Sequence, residues 1–152
     1  MKFVLAAALV ALSPINACSA APACATPNAA AEFARVDIRT KAKRYEFQVE
    51  VVRTPEAQAR GMMFRETLAR NCGMIFPFSP PREASFWMRN TLIPLDMIFI
   101  RADGSIARIA AETIPYSLEP ETSGEPVASV LEIGGGEAAR LGISEGDIVK
   151  MR

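Results

Sequence analysis

One run of sixteen residues, Ser85 to Ile100 (SFWMRNTLIPLDMIFI), constrains this chain more than any other stretch. Its second half, Leu95 to Ile100, is apolar at both odd and even positions apart from Asp96. Strand side chains alternate sides, so such a run describes a central strand covered on both faces, and the rest of the chain has to supply the cover. Asp96 is the anomaly in it. A carboxylate without a partner is costly in such a setting, so a cation is expected beside it, with Arg89 and Arg65 the nearest candidates. If residues 91–94 connect a hairpin, Arg89 faces Asp96 directly; a slip of one residue turns them to opposite faces.

The remaining strands follow from turn signals. Val36 and Ile38 alternate with polar residues, 41–43 turn the chain, and Tyr45, Phe47, Val49 and Val51 form the buried face of a partner strand. Thr54, Pro55 and Glu56 supply an N-cap, a first-turn proline and an acid, and Gly61 stops a helix of about two turns. Asn71–Gly73 precedes a short strand at 74–76, and the proline-rich segment 77–81 reads as a loop. Asp103-Gly104 marks a two-residue hairpin with both positions at positive φ, 113–126 a surface loop, 127–133 a strand, Gly134–Gly136 a break, 137–141 one helical turn and 147–149 a closing strand. Short strands at close spacing with one or two short helices make a mainly β domain, a single antiparallel sandwich or partly closed barrel.

Lys2 followed by an apolar run to Leu12 has the form of a secretory signal and is too short to span a bilayer. Residues 1–20 are therefore expected to be a signal peptide, with Cys18 as a candidate lipidation site in a lipobox-like sequence. Residues 21–31 read as a flexible tether, and 32–152 as the folded domain. The expected location is the periplasm, free or lipid-anchored in the bacterial envelope. Cys24 and Cys72 are able to pair in an oxidising compartment, but a buried, unreactive Cys72 is the simpler expectation.

Seventeen basic residues balance seventeen acidic ones, and they are scattered, so nothing points to nucleic acid, and a lipid anchor would be the only link to a membrane. The chain contains no His, which removes Ser-His-Asp and Cys-His catalysis and most zinc sites. Neither cofactor nor metal is expected: Met62, Met63, Met74, Met88 and Met97 read as core filling before copper ligands, and Gly134-x-Gly136-x-x-Ala139 as a strand-to-helix connection before a dinucleotide loop.

Gly61-Met62-Met63-Phe64-Arg65, Gly73–Phe76, Phe86–Asp96, Val130–Ile133, Gly142-Ile143 and Gly146-Asp147 resemble, in order, the domain-of-unknown-function 192 family. The resemblance runs from about Val36 to the C-terminus. It implies a small, mainly β, jelly-roll-like fold, often behind an export signal, and no established activity; Gly61, Arg65, Gly73, Trp87, Arg89, Asn90, Asp96 and Asp147 match its characteristic positions. From the residues themselves, the expected function is a non-enzymatic envelope module that binds a small anionic or saccharide ligand, or an envelope protein. The candidate cleft is lined by Arg65, Trp87, Arg89, Asn90 and Asp96. The alternative is a carboxylate hydrolase or lyase acting on an envelope glycan, with Asp96 and Glu132 as acid and base and Trp87 as a sugar platform. Against that alternative, Glu132 reads as a solvated strand residue.

Overall fold

Leu95–Ile100 forms β4, and all six of its residues are buried in the computed structural model, which describes Cys24 and residues 32–152. Around it lie β1 (Glu32–Arg39), β2 (Arg44–Val51), β3 (Cys72–Phe86), β5 (Ile106–Thr113), β6 (Glu121–Gly134) and β7 (Ile148–Met151), with helices α1 (Pro55–Arg60) and α2 (Glu137–Leu141). The seven strands make one curled sheet in the order β5-β4-β6-β3-β2-β1-β7, a half-barrel. Its outer strands approach each other: Ser105 bridges Ile148, and Val149 N–H donates to Gly104 O at 2.8 Å. The expected signal peptide, with Cys18, and the rest of 21–31 lie outside the described residues.

Every strand pair is antiparallel except β2 and β3, which run parallel from Gln48/Cys72 to Val51/Ile75. An all-antiparallel sheet is thus corrected at one place, and the reason is the connection. Residues 52–71 carry α1, and a crossover of that length returns the chain in the same direction, which a tight turn cannot do. Thr54 caps α1 as its sequence requires, accepting from Ala57 N–H at 3.2 Å.

The strand also corrects three loop assignments. β3 continues through 77–81 because β2 pairs with it only as far as Ile75. Beyond that point only β6 flanks it, and a proline without an N–H is tolerated where one neighbour is missing. The register with β6 shifts between Pro77 and Arg82, a bulge that absorbs the prolines. Opposite this extension β6 starts at Glu121, six residues before the expected position, to pair with it. Residues 91–94 are not a hairpin loop either, since β6 separates β3 from β4. The β4–β5 turn does form at Asp103-Gly104, but only Gly104 has positive φ (85°), while Asp103 Oδ1 accepts from Ser105 N–H at 2.8 Å.

Two apolar clusters cover the sheet. Ile98 and Ile100 join Val36, Ile38, Phe47, Val49, Leu131 and Ile133 on one face. Met97 and Phe99 join Met62, Met74, Phe76, Met88 and Val130 on the other. The five methionines of the sequence pattern fall accordingly, four of them in the second cluster and Met63 at the surface of a cleft beside it.

Cys24 and Cys72 are joined as a disulfide, with Cα atoms 5.6 Å apart, which corrects the expectation of a free buried thiol. The spacing is ordinary for a disulfide. Neither composition nor periodicity places a residue of the 21–31 segment beside the start of β3.

Candidate functional site

The five residues expected to share a cleft do not do so. Asp96 lies on the face of Ile98 and Ile100 and is fully buried, and no arginine reaches it. Its carboxylate instead accepts three backbone N–H groups, from Glu112 (2.8 Å) and Gly136 (2.9 Å) on Oδ1 and from Ala138 (2.8 Å) on Oδ2. The expected partners Arg89 and Arg65 are therefore corrected: backbone donors at the head of α2 satisfy the acid, a charge-assisted arrangement that needs no cation. Asp96 is a clamp holding the Gly134–Gly136 turn against β5. That turn is tight enough that a Cβ on Gly135 would come 2.8 Å from Pro94 Cβ.

Arg65 is buried and holds Glu50 with two bonds, Nη1–Oε1 at 2.6 Å and Nη2–Oε2 at 2.8 Å. Glu50 pairs in register with Met74, and Met74 with Glu132, which in turn faces Met97. Directly opposed residues share a face, so Glu50, Met74, Glu132 and Met97 form one row across β2, β3, β6 and β4. Glu132 is thus buried rather than solvated, correcting the reading of β6 as a strand with one wet face. Asp96 and Glu132 point to opposite faces of the sheet, because Asp96 neighbours Met97 and Met97 opposes Glu132. An acid and base pair of those two is ruled out.

Glu132 is the chemically unusual group. Its Oε2 has no hydrogen-bond partner among the described residues. Burial among methionines raises its pKa from 4.5 to about 8, against a smaller lowering by the Arg65 charge. At neutral pH it is a neutral carboxyl, with one O–H to give and a carbonyl oxygen to receive. It lines a cleft of about 200 Å³ between the end of α1 and the β3 extension, with Gln58, Gly61, Met62, Phe76, Phe86 and Trp87. A larger depression of about 660 Å³ crosses β1 and β2 beside Cys24, but its charged groups are already matched, Arg35 with Glu46 and Arg152 with Asp37. Asp37 Oδ1 also lacks a partner, but its other oxygen holds Arg44 and Arg152; the smaller cleft holds the partnerless oxygen of an acid outside any ion pair and is the candidate site. Among the described residues no three His, Cys, Asp or Glu gather to hold a metal ion.

The central stretch forms the rim of this cleft. Trp87 is half exposed beside it, with the Arg89 guanidinium 5.5 Å from the ring centre. Asn90 adopts φ 55°, its carbonyl accepts Phe64 N–H at 2.8 Å, and its amide nitrogen lies 3.8 Å from Met63 Sδ. Tyr116 N–H in turn donates to Thr91 O at 3.1 Å. Phe64 and Tyr116 themselves hold φ near +60°, uncommon for bulky residues, and both are exposed. Trp87 therefore lines the cleft with Arg89 stacked on it, Asn90 precedes Thr91, which also lines it, Arg65 is buried with Glu50 beside a separate pocket, and Asp96 is remote. Glu50 escaped the sequence reading, and Glu132 entered it only as a partner for Asp96 or a solvated strand residue, although the signal was the one that exposed Asp96: a single acid between apolar neighbours on both sides.

These features belong to a known but uncharacterised class. The family model DUF192, described as an uncharacterized ACR, matches residues 36–151, and the chain belongs to that family. A crystal structure at 1.22 Å of a protein of unknown function from Novosphingobium aromaticivorans DSM 12444 is 45% identical, with a TM-score of 0.80 over 87% of this chain and 94% of that one. A second, at 1.55 Å, of a Sinorhizobium meliloti 1021 protein provisionally named a transcription regulator, is 38% identical, with a TM-score of 0.77 over 80% of this chain and 95% of that one. No curated protein matches the chain.

Proposed function

We propose that this protein is a non-enzymatic binding module of the bacterial envelope, exported and either free in the periplasm or lipid-anchored, that takes a small ligand into the Glu132 cleft. The observation carrying this reading is Glu132 itself. A buried carboxyl with an unused oxygen costs stability, and such a cost is ordinarily tolerated at a site that uses the group. Trp87 offers a flat face to the ligand at the entrance, and Glu132 supplies the hydrogen bond at the base.

Binding is favoured over turnover because no second carboxyl group lines the cleft among the described residues. Asp96 is behind the sheet, and Glu50 is held by Arg65. The disulfide supports an oxidising compartment. The S. meliloti relative is provisionally named a transcription regulator, but here the charges balance and eight arginines are held in ion pairs, which favours a small ligand over nucleic acid. The partly closed, jelly-roll-like refinement of the half-barrel is part of the same reading, supported by the Ser105–Ile148 bridge.

Trp87 is the only tryptophan, so its fluorescence reports the site directly. Titration with small glycosides, hydroxyaryl acids and their uncharged analogues is expected to give a saturable change with at least one member, and Glu132→Leu should abolish it. A Glu132→Leu protein that responds identically, or a panel without any response, overturns the reading.

A further inference from the structure

The arginines of this chain are distributed unevenly between paired and bare. Of the thirteen, all among the described residues, eight hold an ion pair. Five remain; two of them, Arg60 and Arg82, line the Glu132 cleft, and a third, Arg89, stacks on a residue that lines it. Arg60 comes from the last turn of α1 and Arg82 from the β3 extension, and both line the opening. Arg89 lies against Trp87, which lines it too. Each is exposed, and none has an acid within ion-pair reach among the described residues.

Two of them are also preorganised. The Arg82 guanidinium rests 4.1 Å from the centre of the Phe78 ring, and Arg89 is 5.5 Å from that of Trp87. Stacking on an aromatic face fixes a guanidinium while leaving its N–H fork available at the edge. An arginine fork matches a carboxylate with two parallel hydrogen bonds, and three like charges around one opening concentrate anions there. The walls behind them, Met62, Phe76, Phe78 and Phe86, are apolar. Glu132 at the base meets an uncharged polar group well and a second anion badly, since its neighbours in the row are Met74 and Met97. The volume of about 200 Å³ is below the roughly 300–1,000 Å³ common for drug-sized ligands, so the guest is small.

We propose that the ligand is a small, two-ended organic acid. Its carboxylate lies among Arg60, Arg82 and Arg89, its flat apolar body runs along the phenylalanine and methionine walls, and a neutral hydroxyl or carbonyl at the far end bonds Glu132. This rests on the reading of the cleft as a binding site and adds the charge and polarity of what it binds.

The test uses the full oxidised chain and four probes of one shape: 4-hydroxybenzoate, benzoate, 4-hydroxybenzamide and 4-hydroxybenzylamine, titrated by Trp87 fluorescence and calorimetry. The hydroxy acid is expected to bind at least tenfold tighter than its amide, and the amine weakest. Arg60→Gln/Arg82→Gln/Arg89→Gln replaces three exposed side chains, which leaves folding intact, and should bring acid and amide to the same affinity. The advantage of 4-hydroxybenzoate over benzoate should vanish in Glu132→Leu, and circular dichroism checks that this variant is folded. An amide or amine that binds as well as the acid, or a triple variant that still prefers the acid, overturns this proposal and leaves the binding site standing. If none of the four binds while small glycosides do, this proposal falls alone; if nothing binds, both fall.

Discussion

Glu132 and Asp96 are both single acids among apolar neighbours, and the structure treats them oppositely. Asp96 collects three N–H donors, while Glu132 keeps an oxygen without a partner. The difference has a signature in pH. Folding raises the Glu132 pKa from 4.5 to about 8, so the stabilising state is the protonated one, complete below pH 4.5. Stability then declines as pH rises toward 8, by about 1.4 kcal/mol per unit within that window, and levels off above it. Urea unfolding at pH 5 and pH 8 should show wild type losing several kcal/mol more over this interval than Glu132→Gln; parallel pH profiles would mean that the carboxyl is not desolvated. At this scale the sequence was half legible. The lone acid at 96 announced burial correctly but not its partners, because backbone donors leave no trace in residue identity. Glu132 was read as wet because one apolar face was assumed where there are two.

Among the elements, β3 carries the most consequence per residue. It supplies Cys72 to the disulfide, Met74 to the buried row, Phe76 and Phe78 to the cleft wall and Arg82 to its mouth. Its register against β6 is fixed at Gly73, where an added Cβ would stand 2.5 Å from Glu132 O. Gly73→Ala must push β3 away from β6 beside Glu132, and overpacking of this kind costs about 2–3 kcal/mol. Chemical denaturation is expected to show that loss, whereas Gly142→Ala, with open space around its Cβ, should show only the smaller penalty of its positive φ. The alternating strands and the capped helix were legible from periodicity and from Thr54-Pro55. The β3 extension was not, because prolines signal a loop unless the missing neighbour strand is known, and that is a property of the sheet order.

For the molecule as a whole, the half-barrel brings residues 60, 82, 87 and 132 to one opening although they are spread over more than seventy positions. That convergence is why the site was only partly visible in one dimension: Trp87, Arg89 and Asn90 sit in one run, while their partners arrive through parallel pairing and curl. The disulfide belongs to this scale too. It closes a loop of 48 residues that contains β1, β2 and α1, and the loop-closure relation assigns it roughly 4 kcal/mol. Reduction, or Cys24→Ser with Cys72→Ser, is expected to lower unfolding stability by about that amount, read from urea midpoints with and without reductant. Coincident curves would show that the bond adds nothing to the fold.

The same bond decides where tension enters the protein. Any pull on the chain ahead of Cys24 passes through sulfur to the first residue of β3, the middle strand of the sheet, with three strands on either side of it. The hairpin of β1 and β2 lies inside the covalent loop and bears none of that load. A protein held from its N-terminal side would therefore hang from the strand that builds its cleft, and its outermost strands could not be peeled away one at a time.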